Sequence, residues 1–152
     1  MNDQSSQPIT ETLWWIVPKT LAGVRKPARD ELYFLQSQGV GAIVSVLDDP
    51  SNLDIYQELD LPYLWLPVKG GTPPDHEQVT QLNQFVTEQM QLGRGVAVHC
   101  TNGKRRTGTM LATYLIKNGA SFDAAMSTIH SVKPEIELRE AQIAFLRDLS
   151  SD

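Results

Sequence analysis

Apolar positions along the chain alternate between two spacings, one of strands and one of helices. Runs at Trp14–Val17, Leu21–Ala22, Val40–Leu47, Tyr63–Leu66 and Val96–Val98 are apolar and rich in β-branched residues. They predict short buried strands. Between them the apolar residues recur every three or four positions. Pro27 fits the first position of a helix whose Leu32 and Leu35 face inward and which Gly39 stops. A second helix is expected over Leu53–Leu59. A third opens at Thr72-Pro73-Pro74-Asp75, carries Val79, Leu82, Phe85, Val86 and Met90 on one stripe, and ends at Gly93. A fourth runs from Thr107 through Met110, Leu111, Tyr114 and Leu115 to an Asn118-Gly119 C-cap. Ser121 caps a fifth, with Phe122, Ala125, Met126, Ile129 and Val132 on one face. Pro134 breaks the chain, and Leu138–Leu149 forms the last helix.

This alternation predicts a single α/β domain over residues 9–150, with a mostly parallel central sheet flanked by helices. Polar Met1–Pro8 predicts a disordered tail. Trp14, Trp15, Trp65 and Phe85 read as core. No internal repeat, low-complexity block or linker interrupts the pattern.

Composition narrows the function classes. A chain of 152 residues with 41% hydrophobic and 20% charged residues fits one soluble domain with one core. Net charge of −5 argues against non-specific attraction to nucleic acid or anionic membrane. No apolar run is long enough to span a bilayer, and the N-terminus is not signal-like. The single cysteine, Cys100, leaves no disulfide within the chain and fits a reducing cytoplasm. His99 has no Cys or His companions at ligand spacing, so no metal and no cofactor are expected. His76 and His130 read as surface or satisfied core histidines. A monomer is expected.

The chemistry concentrates between Val96 and Gly108. A strand stops at His99-Cys100, a loop containing Gly103 follows, and a helix begins near Thr107. Amides at a helix N-terminus lack intrahelical partners and carry the positive end of the macrodipole, so such a turn binds anions. Cysteines in that field, or beside a cation such as Arg106, ionise more readily than free thiols. The same amides suit phosphate oxygens, and Arg106 can grip two of them bidentately. Gly103 permits positive φ or close backbone approach. Gly108 lets the helix pack closely, and the Thr107 hydroxyl can donate to the sulfur as a leaving group.

The run His99-Cys100-x-x-Gly103-x-x-Arg106-Thr107-Gly108 resembles the HCxxGxxR(S/T)G signature of the protein tyrosine phosphatase superfamily. The short chain resembles its small atypical dual-specificity branch. Leu21-Ala22-Gly23, Val44-Ser45-Val46, the turn at Pro73-Pro74 and Thr109-Met110-Leu111-Ala112 extend the likeness over roughly Thr12 to Leu149. The resemblance implies the cysteine-phosphatase fold, with Cys100 as nucleophile and Thr101, Asn102, Gly103, Lys104, Arg105 and Arg106 completing a phosphate-binding loop that would also take phosphate or sulfate. It implies that His99 tunes the thiolate through hydrogen bonds. It also implies that Glu137, following Pro134 and Ile136, positions the water that hydrolyses phosphocysteine; the macrodipole of a helix start explains the same glutamate equally well.

One departure stands out. The family's general acid is an aspartate near Val68, Lys69 or Gly70, and no acid is there. Asp75 is a candidate, although its position fits helix capping better. Asp48 and Asp49 could reach the rim, but a turn before Pro50 accounts for them. The third option is no acid at all. A phenol ionises near pH ~10 and an aliphatic alcohol resembles water at ~15.7, so an enzyme without a proton donor favours aryl phosphates or phosphoanhydrides. The leading expectation is therefore a cysteine-dependent phosphomonoester hydrolase acting on phosphoproteins, phosphotyrosine first. Alternatives are a phosphoinositide phosphatase, which Lys104 suits, an RNA 5′-triphosphatase, and a phosphate-binding module with weak catalysis. The Cys–Arg spacing fits a sulfurtransferase poorly.

Overall fold

The computed structural model describes residues 8–151. Among these described residues five strands form one sheet: β1 (Trp14–Val17), β2 (Leu21–Val24), β3 (Val40–Ser45), β4 (Tyr63–Trp65) and β5 (Gly95–His99), in spatial order β1-β2-β5-β3-β4. Only β1 runs antiparallel, paired with β2 across the Pro18-Lys19 turn; the other contacts are parallel. The predicted mostly parallel α/β sandwich is the one observed.

β5 lies at the centre, with Val96, Ala97 and Val98 fully buried. A central parallel strand is covered on both faces, which is why its sequence reads as an unbroken apolar run rather than an alternating one. Val96 and Val98 face one core, built with α4 (His76–Gln91), α5 (Arg105–Lys117), α6 (Phe122–Val132) and α7 (Glu140–Ser150). Ala97 faces the other, built with α1 (Ile9–Thr12), α2 (Glu31–Ser37) and α3 (Leu53–Glu58). The carboxyl end of β5 therefore emerges between β2 and β3, in the crevice where open α/β sheets hold their ligands.

Several expectations are corrected. Helix α2 begins at Glu31, not at Pro27. The Glu31 carboxylate accepts from the Ala28 amide at 2.8 Å and pairs with Arg25 at 2.7 Å, so residues 27–30 become a tied-down lead-in. Helix α5 begins at Arg105, two residues before Thr107. Helix α1 is a single turn too short for periodicity to reveal. Trp65 is not core: it is 36% exposed on edge strand β4, with its indole N–H donating to the Leu47 carbonyl at 2.7 Å. Val132 is likewise exposed at the end of α6. The tail expected over Met1–Pro8 lies outside the described residues except for Pro8, which stands at the N-cap of α1.

Candidate active site

Residues 100–104 connect β5 to α5, and their neighbours explain their path. Gly103 has φ +71°, and a Cβ there would lie 2.5 Å from the Val24 carbonyl group. Only glycine meets both demands. The loop's carbonyls are held from outside. The Lys26 amide donates to Thr101 O at 3.1 Å, and the Trp14 indole Nε1–H donates to Gly103 O at 3.2 Å. A trans peptide plane is rigid, so the N–H after each carbonyl points the other way. Anchoring these two oxygens turns the amides of Asn102 and Lys104 away from β1 and β2.

Cys100 is 4% exposed, and its Sγ accepts a hydrogen bond from Thr107 Oγ1 at 3.1 Å. Thr107 is fully buried in the first turn of α5. Arg106 lines the same hollow as Cys100. Its guanidinium donates to Val68 O at 3.0 Å and Thr101 Oγ1 at 3.4 Å, and Asp48 lies 3.7 Å away. The chain beyond β4 and the end of β3 thus brace it. Gly108 packs on Ile136, whose Cδ1 would lie 3.3 Å from an added Cβ.

Beneath the loop, His99 is fully buried. Its Nε2 is 2.8 Å from Tyr56 Oη and its Nδ1 is 3.3 Å from Cys100 O. Asn52 Nδ2–H donates to Tyr56 Oη at 3.0 Å, which leaves the tyrosine proton for His99 Nε2. The histidine is then neutral, with Nδ1–H donating to the Cys100 carbonyl. Burial pushes its pKa down to about 4, and the charges of Lys26 and Arg106 act in the same direction. The same burial raises the Tyr56 phenol, keeping it a donor.

The hollow over Cys100 has a volume of about 500 Å³. Six predicted residues of the loop and its helix start line it: Cys100, Thr101, Asn102, Lys104, Arg105 and Arg106. Gly103 and Thr107 support it from behind. Glu137 stands on its wall, with its carbonyl accepting from Arg105 Nε at 2.8 Å. Asp75 does not belong to the wall. It caps α4, accepting from the Gln78 amide at 2.8 Å while its own N–H donates to Gln78 Oε1 at 3.0 Å. Asp49 accepts from the Ser51 hydroxyl and amide, which holds its carboxyl below the ordinary range. That is a turn carboxylate held ionised.

Where an acid of the β4–α4 loop would be expected, Gly70 and Gly71 form the wall. Tyr56, Asn52, the Val68 carbonyl, Glu135 and Arg139 complete the site and were not singled out from the sequence. Tyr56 lies within the span expected for the second helix and Arg139 within that expected for the last, and no local motif marks either. Among the described residues, no cluster of three or more His, Cys, Asp or Glu side chains is placed to hold a metal ion.

The sequence model of a family described as polymorphic toxin system, DSP-PTPase phosphatase (Tc-R-P), matches residues 19–120. The chain belongs to this DSP-PTPase phosphatase family. Phosphatidylglycerophosphate phosphatase PTPMT2 of Arabidopsis thaliana is 24% identical over 143 residues, covering 90% of this chain and 63% of that protein. Phosphatidylglycerophosphatase and protein-tyrosine phosphatase 1 of Rattus norvegicus is 33% identical over 70 residues, 45% of this chain and 36% of that protein. The chain thus spans less than two thirds of the length of either curated relative. The active form of Tk-PTP superposes with a TM-score of 0.83 at 25% identity, over 92% of this chain and 97% of Tk-PTP. PTPMT1 superposes with a TM-score of 0.80 at 21% identity, over 91% of this chain and 94% of that one, and shares the fold. Family and fold thus agree on the tyrosine and dual-specificity phosphatase type.

Proposed function

We propose that Cys100 is the nucleophile of a two-step hydrolysis through phosphocysteine, with aryl phosphates as preferred substrates and phosphotyrosine first among them. The phosphoryl group sits over Sγ, held by amides of the 100–106 loop and by the Arg106 fork. An S–P bond forms as the ester P–O bond breaks, and the electron pair leaves on the ester oxygen. Water, positioned by Glu137, then attacks phosphorus. Sγ departs as a thiolate, and the Thr107 hydroxyl stabilises it as it leaves. The observation that carries this reading is the 3.1 Å bond from Thr107 Oγ1 to Cys100 Sγ, beneath a hollow that Arg106 lines.

The aryl preference follows from the wall. Among the described residues no aspartate lines it, and Glu135, hydrogen-bonded to its own backbone and 3.5 Å from Lys133 Nζ, is held ionised below the ordinary carboxylate range. Held ionised, it has no proton to give the ester oxygen at neutral pH, so that oxygen leaves unprotonated. A second reading, a phospholipid phosphate as substrate, is supported by the phosphatidylglycerophosphate phosphatases among the relatives and by a PTPMT1 structure in complex with PI(5)P. Cys100→Ser tests the shared mechanism. Turnover of p-nitrophenyl phosphate should vanish while calorimetry still detects bound inorganic phosphate. Residual turnover at a tenth or more of wild type would remove Cys100 from this role.

A further inference from the structure

The contacts between β2 and β5 do not end with the strands. Val24 is paired with His99, and two residues further on the Lys26 amide donates to Thr101 O at 3.1 Å. The parallel ladder thus runs on, in the same register, into the loop that follows Cys100. The loop leans on the same stretch at Gly103, where an added Cβ would lie 2.5 Å from Val24 O and 2.6 Å from Arg25 N. Pro27 has no N–H, so the ladder stops there. The last rung of a ladder frays unless something beside it holds the chain.

Here an ion pair holds it. The Arg25 guanidinium takes both carboxylate oxygens of Glu31, at 2.9 and 2.7 Å, and its Nη1 also donates to Lys26 O at 2.9 Å. Glu31 Oε1 accepts from the Ala28 amide at 2.8 Å, and Asn52 Nδ2–H donates to Pro27 O at 2.8 Å. The amide and carbonyl of Lys26, the carbonyl of Pro27 and the amide of Ala28 are therefore all engaged. The two paired side chains are only 13% and 25% exposed, so water competes for these bonds less than at an open surface. Each partner also keeps the other charged, Glu31 raising the Arg25 pKa and Arg25 lowering that of Glu31. A pair that served only α2 would stop at the first turn of that helix. This one reaches back to the carbonyl of Lys26, the residue whose amide carries Thr101. Neither side chain lines the hollow.

We propose that Arg25 and Glu31 are positioning residues for the loop, setting how tightly it holds a phosphate group by fixing the Lys26 amide against Thr101 O. This rests on the proposed role of the loop as the phosphate site. The Thr101–Asn102 peptide is planar, so the carbonyl that Lys26 anchors sets the direction of the Asn102 N–H. Loosening Arg25 lets that plane rock, and the amide is aimed at the anion for less of the time. The planar fork spans two carboxylate oxygens and a carbonyl in one fixed geometry, which an ammonium does not reproduce.

The test measures competitive inhibition of p-nitrophenyl phosphate turnover by inorganic phosphate, together with the unfolding midpoint. It uses wild type, Arg25→Gln, Arg25→Lys, Glu31→Gln and Ile129→Val, the last trimming the core on the other face of the sheet. The inhibition constant should rise about ten-fold in Arg25→Gln and about three-fold in Glu31→Gln, and recover partly in Arg25→Lys. KM should rise with it while kcat falls less, because Cys100, Arg106 and Thr107 are unchanged. Ile129→Val should lower the midpoint and leave the inhibition constant at its wild-type value. Glu31→Gln keeps an acceptor for Ala28, so a wild-type inhibition constant in that variant would overturn the inference whether or not Arg25→Gln folds. A rise in Ile129→Val equal to that in Arg25→Gln would overturn it too, by reducing the pair to general stability. In both cases the proposed function stands. Wild type that neither turns over p-nitrophenyl phosphate nor binds inorganic phosphate would overturn the proposed function and the inference together.

Discussion

Trp14 packs in β1 so closely that a Cβ on Gly23 of β2 would sit 2.6 Å from its ring, and its indole N–H holds the Gly103 carbonyl. The side chain is both a core filler and a backstop for the loop. Trp14→Phe keeps most of the ring and removes the donor. A buried carbonyl left without a partner costs about 1–3 kcal/mol, and the Lys104 amide loses the constraint that aims it. Inorganic phosphate binding should therefore weaken about ten-fold by calorimetry, alongside a loss of unfolding free energy of the same order. Unchanged phosphate affinity would reduce Trp14 to a packing residue. The sequence showed Trp14 as core and Gly103 as a special backbone position, but not their bond. They are 89 residues apart, and no local pattern connects them.

At the scale of elements, the β4–α4 connection separates capping from catalysis. Asp75 and Gln78 satisfy each other's end of α4 in a capping box. Asp75→Ala should cost about 1 kcal/mol of stability. It should leave the dependence of kcat/KM on leaving-group pKa as steep as in wild type across a series of aryl phosphates. A shallow wild-type slope that steepens in Asp75→Ala would make Asp75 the proton donor after all. Elements with strong local signals were legible: the Pro-Pro-Asp start of α4, the Ser121 cap that accepts from the Ala124 amide at 3.0 Å, and the β-branched β3 and β5. Pro27 misled because its helical neighbourhood is set by a tertiary pair, Arg25 with Glu31, that propensity does not register.

Across the whole molecule, the site is joined to the core through the row Asn52, Tyr56 and His99, the last two fully buried, beneath the sheet's carboxyl edge. The His99-Cys100-Gly103-Arg106 signature carried the loop and the fold in outline. What braces them, Tyr56 from α3 and the Val68 carbonyl, comes from distant segments through ordinary residue types and only folding reveals it. The buried histidine also makes stability depend on acidity. His99 is neutral in the fold with a pKa of about 4, below its ordinary 6.5, so as pH falls the unfolded chain takes up the proton first. Its contribution is whole above pH 6.5 and is lost between 6.5 and about 4, reaching about 3 kcal/mol. The lowered carboxyls Glu31, Asp49 and Glu135 lose theirs only below their ordinary values of 4.5, 3.8 and 4.5. Chemical unfolding from pH 6.5 to 4.5 should thus show a decline in wild type that flattens in His99→Gln, and parallel decline in both would assign it elsewhere. The central claim, a covalent phosphoryl group on sulfur, is most directly tested by acid-quenching wild type during turnover of an aryl phosphate and mapping the adduct by mass spectrometry. A phosphoryl group on Cys100, formed and lost at rates that account for turnover, is the predicted result. Full turnover with Cys100 unmodified at every quench time would contradict it.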